Sequence, residues 1–458
     1  MNVFALAKRF NELTLESEGH WDYKGNSNSK RDYVHGYFAY PAMMVPRMQR
    51  EMLDVCLEQM QDVKPCLLDP FAGSGTILVE GMLRGLDVVG IDINPLAILL
   101  CKVKTTILDG KRLSLKAKGL LESIYSKKDV EKYDFDGINK WFADYIIVDL
   151  SKIRASIVEE EDILYRRFFW ATFCEVVRIV SNSRNCTYKL HIKEKKDIDT
   201  FNVNTVKIFK DILFENIKRH NEFYTELKQR GYLKKDALTY KGKIKIILGN
   251  AIDYLNHSKK KYNLIFTSPP YGDNHTTVSY GQYSIMPLRW MNCNDIDDAV
   301  DFTLLETLCG IDRQSLGGIS SNTSMTALRK QVVEMSTTLK QQLDEINRIS
   351  PQQCNKIIAF YDDYNKFLTA ISKKMMPNAI SVWTLGNRKV AKQEIFMDKI
   401  MVELCEYYEL ELLTSFNRRI FNKRMPHINS FRGEAKGIQH TMTREHILIF
   451  ARSDSKDD

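Results

Sequence analysis

At 458 residues, with 44% hydrophobic and 27% charged side chains, the chain has the composition of a globular protein that can bury a sizeable core. No apolar run reaches the roughly 18 residues of a membrane span, and the apolar part of the opening MNVFALAKRF is too short for a secretory signal, so a cytoplasmic protein with no membrane partner is expected. The net charge of +8 is moderate, and nine scattered cysteines without a C-x-x-C pair argue against a disulfide framework or a zinc site, so no metal is expected.

Residues 1–30 are polar and rich in Gly, Ser and Asn towards their end, and read as a flexible arm. Residues 31–110 change to a pattern of strand, glycine turn, helix and strand. Short apolar runs at 66–68 and 87–91 alternate there with amphipathic helices, which implies parallel strands in an α/β sheet. Residues 111–240 read as a largely helical insertion of long charged segments with few glycines. Its basic clusters KLHIKEKK (189–196), IKRH (217–220) and LKQRGYLKK (227–235) are interleaved with aromatic residues, and on charge alone they suit a solvated helix face as well as a polyanion.

Strand-like text resumes in residues 241–291, at KIKIILGNAIDYL (243–255) and YNLIFTSPPY (262–271). Residues 292–350 form a second interruption, containing SLGGISSNTS (315–324). In residues 351–458 strands return at NAISVWTLGNR (378–388), YELELLTSFNRRI (408–420) and REHILIFAR (444–452). The whole reads as one α/β domain interrupted twice, without internal repeats.

DPFAGSGT (69–76) follows the first expected strand and opens a helix. Gly73 and Gly75 permit a tight turn and close approach of a ligand to backbone, and helix N-terminal amides favour an anionic group. No Lys-Ser/Thr pair follows, so the turn is not a phosphate-cradling P-loop. Asp92 ends the next strand, where a carboxylate in such a fold can accept both hydroxyls of a ribose. Asp253, just after the third strand, suits an exocyclic amine of adenine, and it suits a helix N-cap equally well. Turn, ribose acid and adenine acid together fit a nucleoside with a charged tail, without separating a dinucleotide from S-adenosylmethionine.

The run Thr267-Ser268-Pro269-Pro270-Tyr271 ends a strand with two locked φ angles, a small hydroxyl and a ring. Ser268-Pro269-Pro270-Tyr271 closely resembles the catalytic motif of the S-adenosylmethionine-dependent amino-group DNA methyltransferases. The Ser-Pro-Pro-Tyr form is characteristic of members acting on the N4 amine of cytosine, whereas adenine N6 enzymes more often carry Asp or Asn first.

The resemblance implies a Rossmann-like methyltransferase sheet with largely helical insertions, and S-adenosyl-L-methionine as cofactor. It further implies Asp69, Phe71, Gly73, Gly75, Thr76, Asp92, Asn94 and Asp253 as cofactor residues, and Ser268, Pro269, Pro270 and Tyr271 as catalytic ones. HGYFAYPAMMVPRM (35–48) looks like the segment that precedes the cofactor loop in the family, here stretched and with Met43 where lysine is usual. Cys66 lies on the first strand and reads as core, not as a C5-cytosine nucleophile.

Double-stranded DNA is the partner this implies, with a cognate restriction endonuclease in a restriction-modification or related defence system. DNA contacts are expected from the first insertion, at Arg178, Arg184, Lys189 and Lys193. Tyr280 and Tyr283 are expected to stack from a loop beside the target base, and FNRRIFNKRMP (416–426) to reach the DNA backbone or to end a solvated strand. Three alternatives stay open on the sequence: an N6-adenine DNA methyltransferase, an RNA amino-group methyltransferase, and a DNA-binding module that has lost catalysis.

Overall fold

The computed structural model describes residues 3–23, 31–60, 64–184, 188–272, 278–318, 324–420, 428–429, 439–440 and 443–453. Cys186, Thr276, Thr277, residues 24–30 of the expected arm, residues 319–323 of the second interruption and residues 421–426 of the basic C-terminal stretch lie outside these.

Seven apolar runs pair into one sheet: β1 (Cys66–Asp69), β2 (Asp87–Asp92), β3 (Ile244–Leu248), β4 (Tyr262–Thr267), β5 (Met375–Leu385), β6 (Leu410–Arg419) and β7 (Arg444–Arg452). Their order is 3-2-1-4-5-7-6. β3, β2, β1, β4 and β5 run parallel, and β7 is antiparallel to both β5 and β6. This is the Rossmann-like α/β sheet, and chain order reverses between β1 and β4, where parallel sheets open a crevice at their carboxyl ends.

Strand side chains alternate between two apolar cores. Leu67, Val88, Leu264, Phe266, Val382 and Ile449 enter one, while Leu68, Val89, Ile265, Trp383, Leu448 and Phe450 enter the other. Burial on both faces is why the central strands β1, β2 and β4 read as mostly apolar, whereas the edge strand β6 is buried only at intervals. The first core is covered by helices α2 (Pro46–Glu58), α3 (Thr76–Met82) and α4 (Pro95–Thr105), together with α5 (Gly110–Ser126), α6 (Asp144–Val158), α7 (Ile163–Val180) and α8 (Thr205–Gln229). The second is covered by α9 (Ala251–His257), α11 (Met325–Glu334), α12 (Thr337–Ile349), α13 (Pro351–Ser372) and α14 (Met397–Tyr407). α10 (Tyr280–Trp290) follows the Pro-Pro turn on the first side. Among the described residues no helix is long and apolar enough to cross a membrane.

The expected flexible arm is corrected over residues 3–23. Val3–Glu16 is helix α1, and its Leu6, Phe10 and Leu13 are buried. Spacings of four and three put these residues on one helix face, which covers edge strand β6. Trp21 stacks on Phe416 of β6 at 4.5 Å and Thr414 Oγ1 donates to Asn11 at 2.6 Å. Burying an edge strand under an amphipathic helix also removes a template for aggregation.

The helix that opens from the glycine turn is anchored by a buried charge. Glu80 on α3, fully buried, accepts from Arg50 Nε at 3.0 Å and Nη2 at 3.1 Å, and from Arg84 Nη1 at 3.1 Å. His35 Nε2 lies 3.0 Å from the carboxylate, and burial lowers its imidazole. Burial alone would raise the Glu80 carboxyl; the bonds from His35 and Arg50 outweigh it and hold the group at about 2.

Replacing Glu80 by Ala removes the buried partner of Arg50, Arg84 and His35 and leaves Asp32 and Asp54 as the carboxylates beside the guanidinium groups; a loss of about 3 kcal/mol of unfolding free energy in urea titrations at neutral pH is expected. Because the folded value lies below the ordinary 4.5, the wild-type contribution is complete above about 4.5 and disappears as pH falls towards about 2.

Candidate active site

The site grows from the ends of β1 and β4. Asp69 closes β1 and is fully buried; its Oδ1 accepts from the Phe71 amide at 3.1 Å and from Thr267 Oγ1, the last residue of β4, at 2.8 Å. Burial pushes this carboxyl up to about 7. The turn that follows needs left-handed backbone at Gly73 (φ 49°) and Gly75 (φ 74°), and a Cβ on Gly75 would come within 3.0 Å of Cys101 Sγ.

Asp92, ending β2, clasps the same turn. Its Oδ2 accepts from Gly73 N and its Oδ1 from Asn94 N, both at 2.8 Å, while burial pushes the carboxyl up to about 6. Beneath the turn, Lys104 is fully buried and donates to Ser74 O at 2.7 Å; burial pushes it down to about 7.

These elements line a cleft enclosing about 920 Å³ of non-atom space, open solvent at its mouth included. Phe71, Gly73, Thr76, Asp92 and Asn94 form one wall, Ser268 and Pro270 another, and Tyr280 a third. Asp69 and Gly75 lie behind the wall and shape it. Pro269 and Tyr271 stand outside the lining; the half-buried Tyr271 ring places its hydroxyl 3.2 Å from Ser268 Oγ.

Asp253 is not brought to the cleft. It is exposed on the first turn of α9, and Asn250, which caps that helix by accepting from Ile252 N at 2.8 Å, stands in the wall with Gly249, Ala251 and Ile252.

The segment from Tyr40 to Met44 also lines the cleft, with Ala42 at φ 46°. Met43, the residue in the place of the usual lysine, is part of that lining. Asn94 ties the parts together by donating to Tyr40 Oη at 3.0 Å and to Ser284 Oγ of α10 at 2.8 Å.

Tyr280 and Tyr283 belong to α10 and not to a loop. Tyr280 stacks against Tyr40 at 5.9 Å, and Tyr283 donates to Ala39 O at 2.6 Å. Arg178, Arg184, Lys189 and Tyr283 line a smaller pocket of about 360 Å³. Arg178 is paired with Glu175 at 2.5 Å; Arg184, 3.6 Å from Glu194, and Lys189 are exposed side chains. Lys193 is kept out of that pocket by donating to Ser181 O at 2.8 Å, above the Phe201 ring.

Sequence reasoning missed Asn250 and the wall residues Ile311, Gln314, Ser315 and Leu316. Asn250 carried a signal, since Gly-Asn after a strand is a helix start; the four later residues carried none.

The cleft suits a nucleoside with a charged tail on the structure's own terms. Ser74 Oγ, Thr76 Oγ1 and Asp69 Oδ2 are buried without a hydrogen-bond partner, and Ser74 and Thr76 border the cleft. Buried polar atoms left so are costly unless a ligand or water meets them.

Over 438 residues the chain is 34% identical to the Type II methyltransferase M.MvaI of Kocuria varians, covering 93% of this chain and 92% of the relative. It is 31% identical over 115 residues to the Type II methyltransferase M.MjaII of Methanocaldococcus jannaschii, covering 24% of this chain and 20% of the relative. Among solved structures, the rRNA methyltransferase aviRa from Streptomyces viridochromogenes has a TM-score of 0.33 at 12% identity, covering 94% of this chain and 95% of its own; at that score the likeness carries no argument. No family model matches the chain.

The methyl donor of such enzymes is S-adenosylmethionine; with Asp92 as the acceptor for its ribose hydroxyls, the role the family resemblance implies, its binding would depend on pH. Hydroxyl donors favour the ionised carboxylate, so below about 6 a proton has to leave before the ligand is held. Affinity is expected to be level above about 7 and to fall towards tenfold per pH unit below about 6, measured by calorimetry; Asp92→Asn removes that break. Stability of the ligand-free fold runs the other way: with a raised folded value, the Asp92 contribution is greatest at low pH and is lost as pH rises through about 6.

Proposed function

The chain belongs to the type II methyltransferases, and we propose that it methylates the exocyclic N4 amine of cytosine in duplex DNA, as the modification partner of a restriction endonuclease. The observation that carries this reading is the end of β4. Ser268 and Pro270 border the same cleft as Asp92 and the glycine turn, in a Ser-Pro-Pro-Tyr run.

An amine conjugated to a pyrimidine is a poor nucleophile, because its lone pair is delocalised into the ring. The Ser268 hydroxyl and the Pro269 carbonyl, each accepting one amine hydrogen, would draw that nitrogen towards tetrahedral geometry and aim its lone pair. Proline fixes φ and so the direction in which that carbonyl points. When bound, S-adenosylmethionine supplies an electrophilic sulfonium methyl. Positioning and electrostatics then account for most of the rate, and no covalent enzyme intermediate is needed.

Tyr271 is assigned two tasks: its hydroxyl, 3.2 Å from Ser268 Oγ, orients the acceptor, and its ring stacks on the target base. A base inside a duplex cannot reach the end of β4, so it has to swing out of the stack. Exposed Arg184 and Lys189, in the pocket beside Tyr283, supply positive charge for the phosphates on either side.

Ser268→Ala is expected to lower the single-turnover rate about 100-fold while cofactor affinity stays within about twofold, measured with labelled S-adenosylmethionine and mixed-sequence duplex DNA, with total RNA offered in parallel. Mass spectrometry of the digested product should give N4-methylcytosine. N6-methyladenine would overturn the base assignment, and label confined to RNA would overturn the choice of DNA.

A further inference from the structure

One side of the cleft is built from the second interruption of the sheet. A single helical turn, Gly310–Arg313, leads into residues 314–316, and Ile311, Gln314, Ser315 and Leu316 stand in the wall. Ile311 is buried in the core on one face of the sheet and Leu316 in the core on the other, so the segment joins both.

The segment is held at two points. Asp312, 4% exposed, accepts from Gly281 N at 2.9 Å and from Gln282 N at 3.2 Å. These amides open α10, whose own N-cap residue, Ser279, makes no side-chain cap bond, so the cap arrives from a distant part of the chain. At the other end Gly317 N donates to Asp363 Oδ2 of α13 at 3.0 Å. The fit at α10 is close: a Cβ on Gly281 would lie 2.8 Å from Ile311 Cβ and 2.9 Å from Asp312 N.

We propose that residues 310–316 are a binding element for the methyl donor, in which Gln314 and Ser315 contact the bound cofactor. Asp312 is the positioning residue that fixes this element to α10, and thereby to Tyr280 in its stack on Tyr40. The assignment rests on the reading of the cleft as an S-adenosylmethionine site. With Asp253 turned away from the cleft, the heteroatoms of an adenine need partners from elsewhere. An amide that both donates and accepts, on the apolar wall formed by Ile311 and Leu316, supplies one.

The test is calorimetry of S-adenosylmethionine with the full-length protein, using Asp92→Ala as the reference for a damaged site. Gln314→Ala is expected to raise Kd about three- to tenfold, and Asp312→Ala, which removes a charged acceptor of two amides, about tenfold or more. Asp312→Asn keeps one acceptor and should recover part of the loss.

A role in cofactor binding is further read as a raised KM for cofactor with kcat at saturating cofactor within about twofold, the thermal midpoint of ligand-free Gln314→Ala being unchanged. If the wild type binds and Asp92→Ala does not, an unaltered Kd in Gln314→Ala overturns the proposal, and that variant decides the matter even if Asp312→Ala fails to fold. A wild type that does not bind S-adenosylmethionine overturns instead the reading on which the proposal rests.

Discussion

The hydrogen bond from Thr267 to Asp69, 2.8 Å long, crosses the point where the chain order of the sheet reverses. The glycine turn leaves the sheet on one side of it and Ser-Pro-Pro-Tyr on the other. Both departures are fixed by strand register, with Leu67 opposite Leu264 and Leu68 opposite Ile265. A slip of one residue would send the Thr267 hydroxyl to the opposite face and turn Ser268 with it. Keeping a fully buried carboxyl at this place is costly, as its rise to about 7 records. The same oxygen also holds the Phe71 amide, so one atom positions the start of the turn and the last residue of β4, next to Ser268.

Support for the turn comes from Glu80 and Lys104, which do not border the cleft, and from Asn94, which does. Glu80 fastens α3 to α2 through Arg50, and to its own next turn through Arg84, so the helix that begins at Thr76 has little freedom to move. Lys104 reaches from α4 to the Ser74 carbonyl, capping the turn from below. Asn94 spends both amide hydrogens on Tyr40 and Ser284 and its carbonyl on the Leu96 amide, so its main effect on a ligand is where it places Tyr40 and α10. Packing of this density conveys small shifts instead of absorbing them.

What could be read from the sequence was local. Strands separated by glycine turns, a carboxylate at a strand end and a double proline each announce themselves within a few residues. Asp253 could not be placed that way, because the facing of a helix start depends on where its first turn begins. Asn250 takes the cap with φ −75° and ψ 128°, and three residues later Asp253 points to solvent. Residues 3–23 looked loose because their partners, Thr414 and Phe416, lie some four hundred positions away. Net charge overstated Arg178 and Lys193 for a related reason: Glu175 neutralises the first, and the Ser181 carbonyl holds the second.

The two interruptions of the sheet meet at the first turn of α10. Gln282 offers its backbone amide to Asp312 of the second, and its side-chain Oε1 accepts from Leu190 N of the first at 3.0 Å. Leu190 follows Lys189 and borders the basic pocket, while Asp312 carries a wall of the cleft. Tyr280 and Ser284, one turn apart on the same helix, bind Tyr40 and Asn94 of that cleft. A displacement of this helix end by either insertion would therefore have to move the basic pocket and the cleft together, because no bond in this set can lengthen by an ångström and survive. Insertions that look like additions to the sheet are thus joined where the cleft and the basic pocket come closest in the chain, in the helix that follows Ser-Pro-Pro-Tyr.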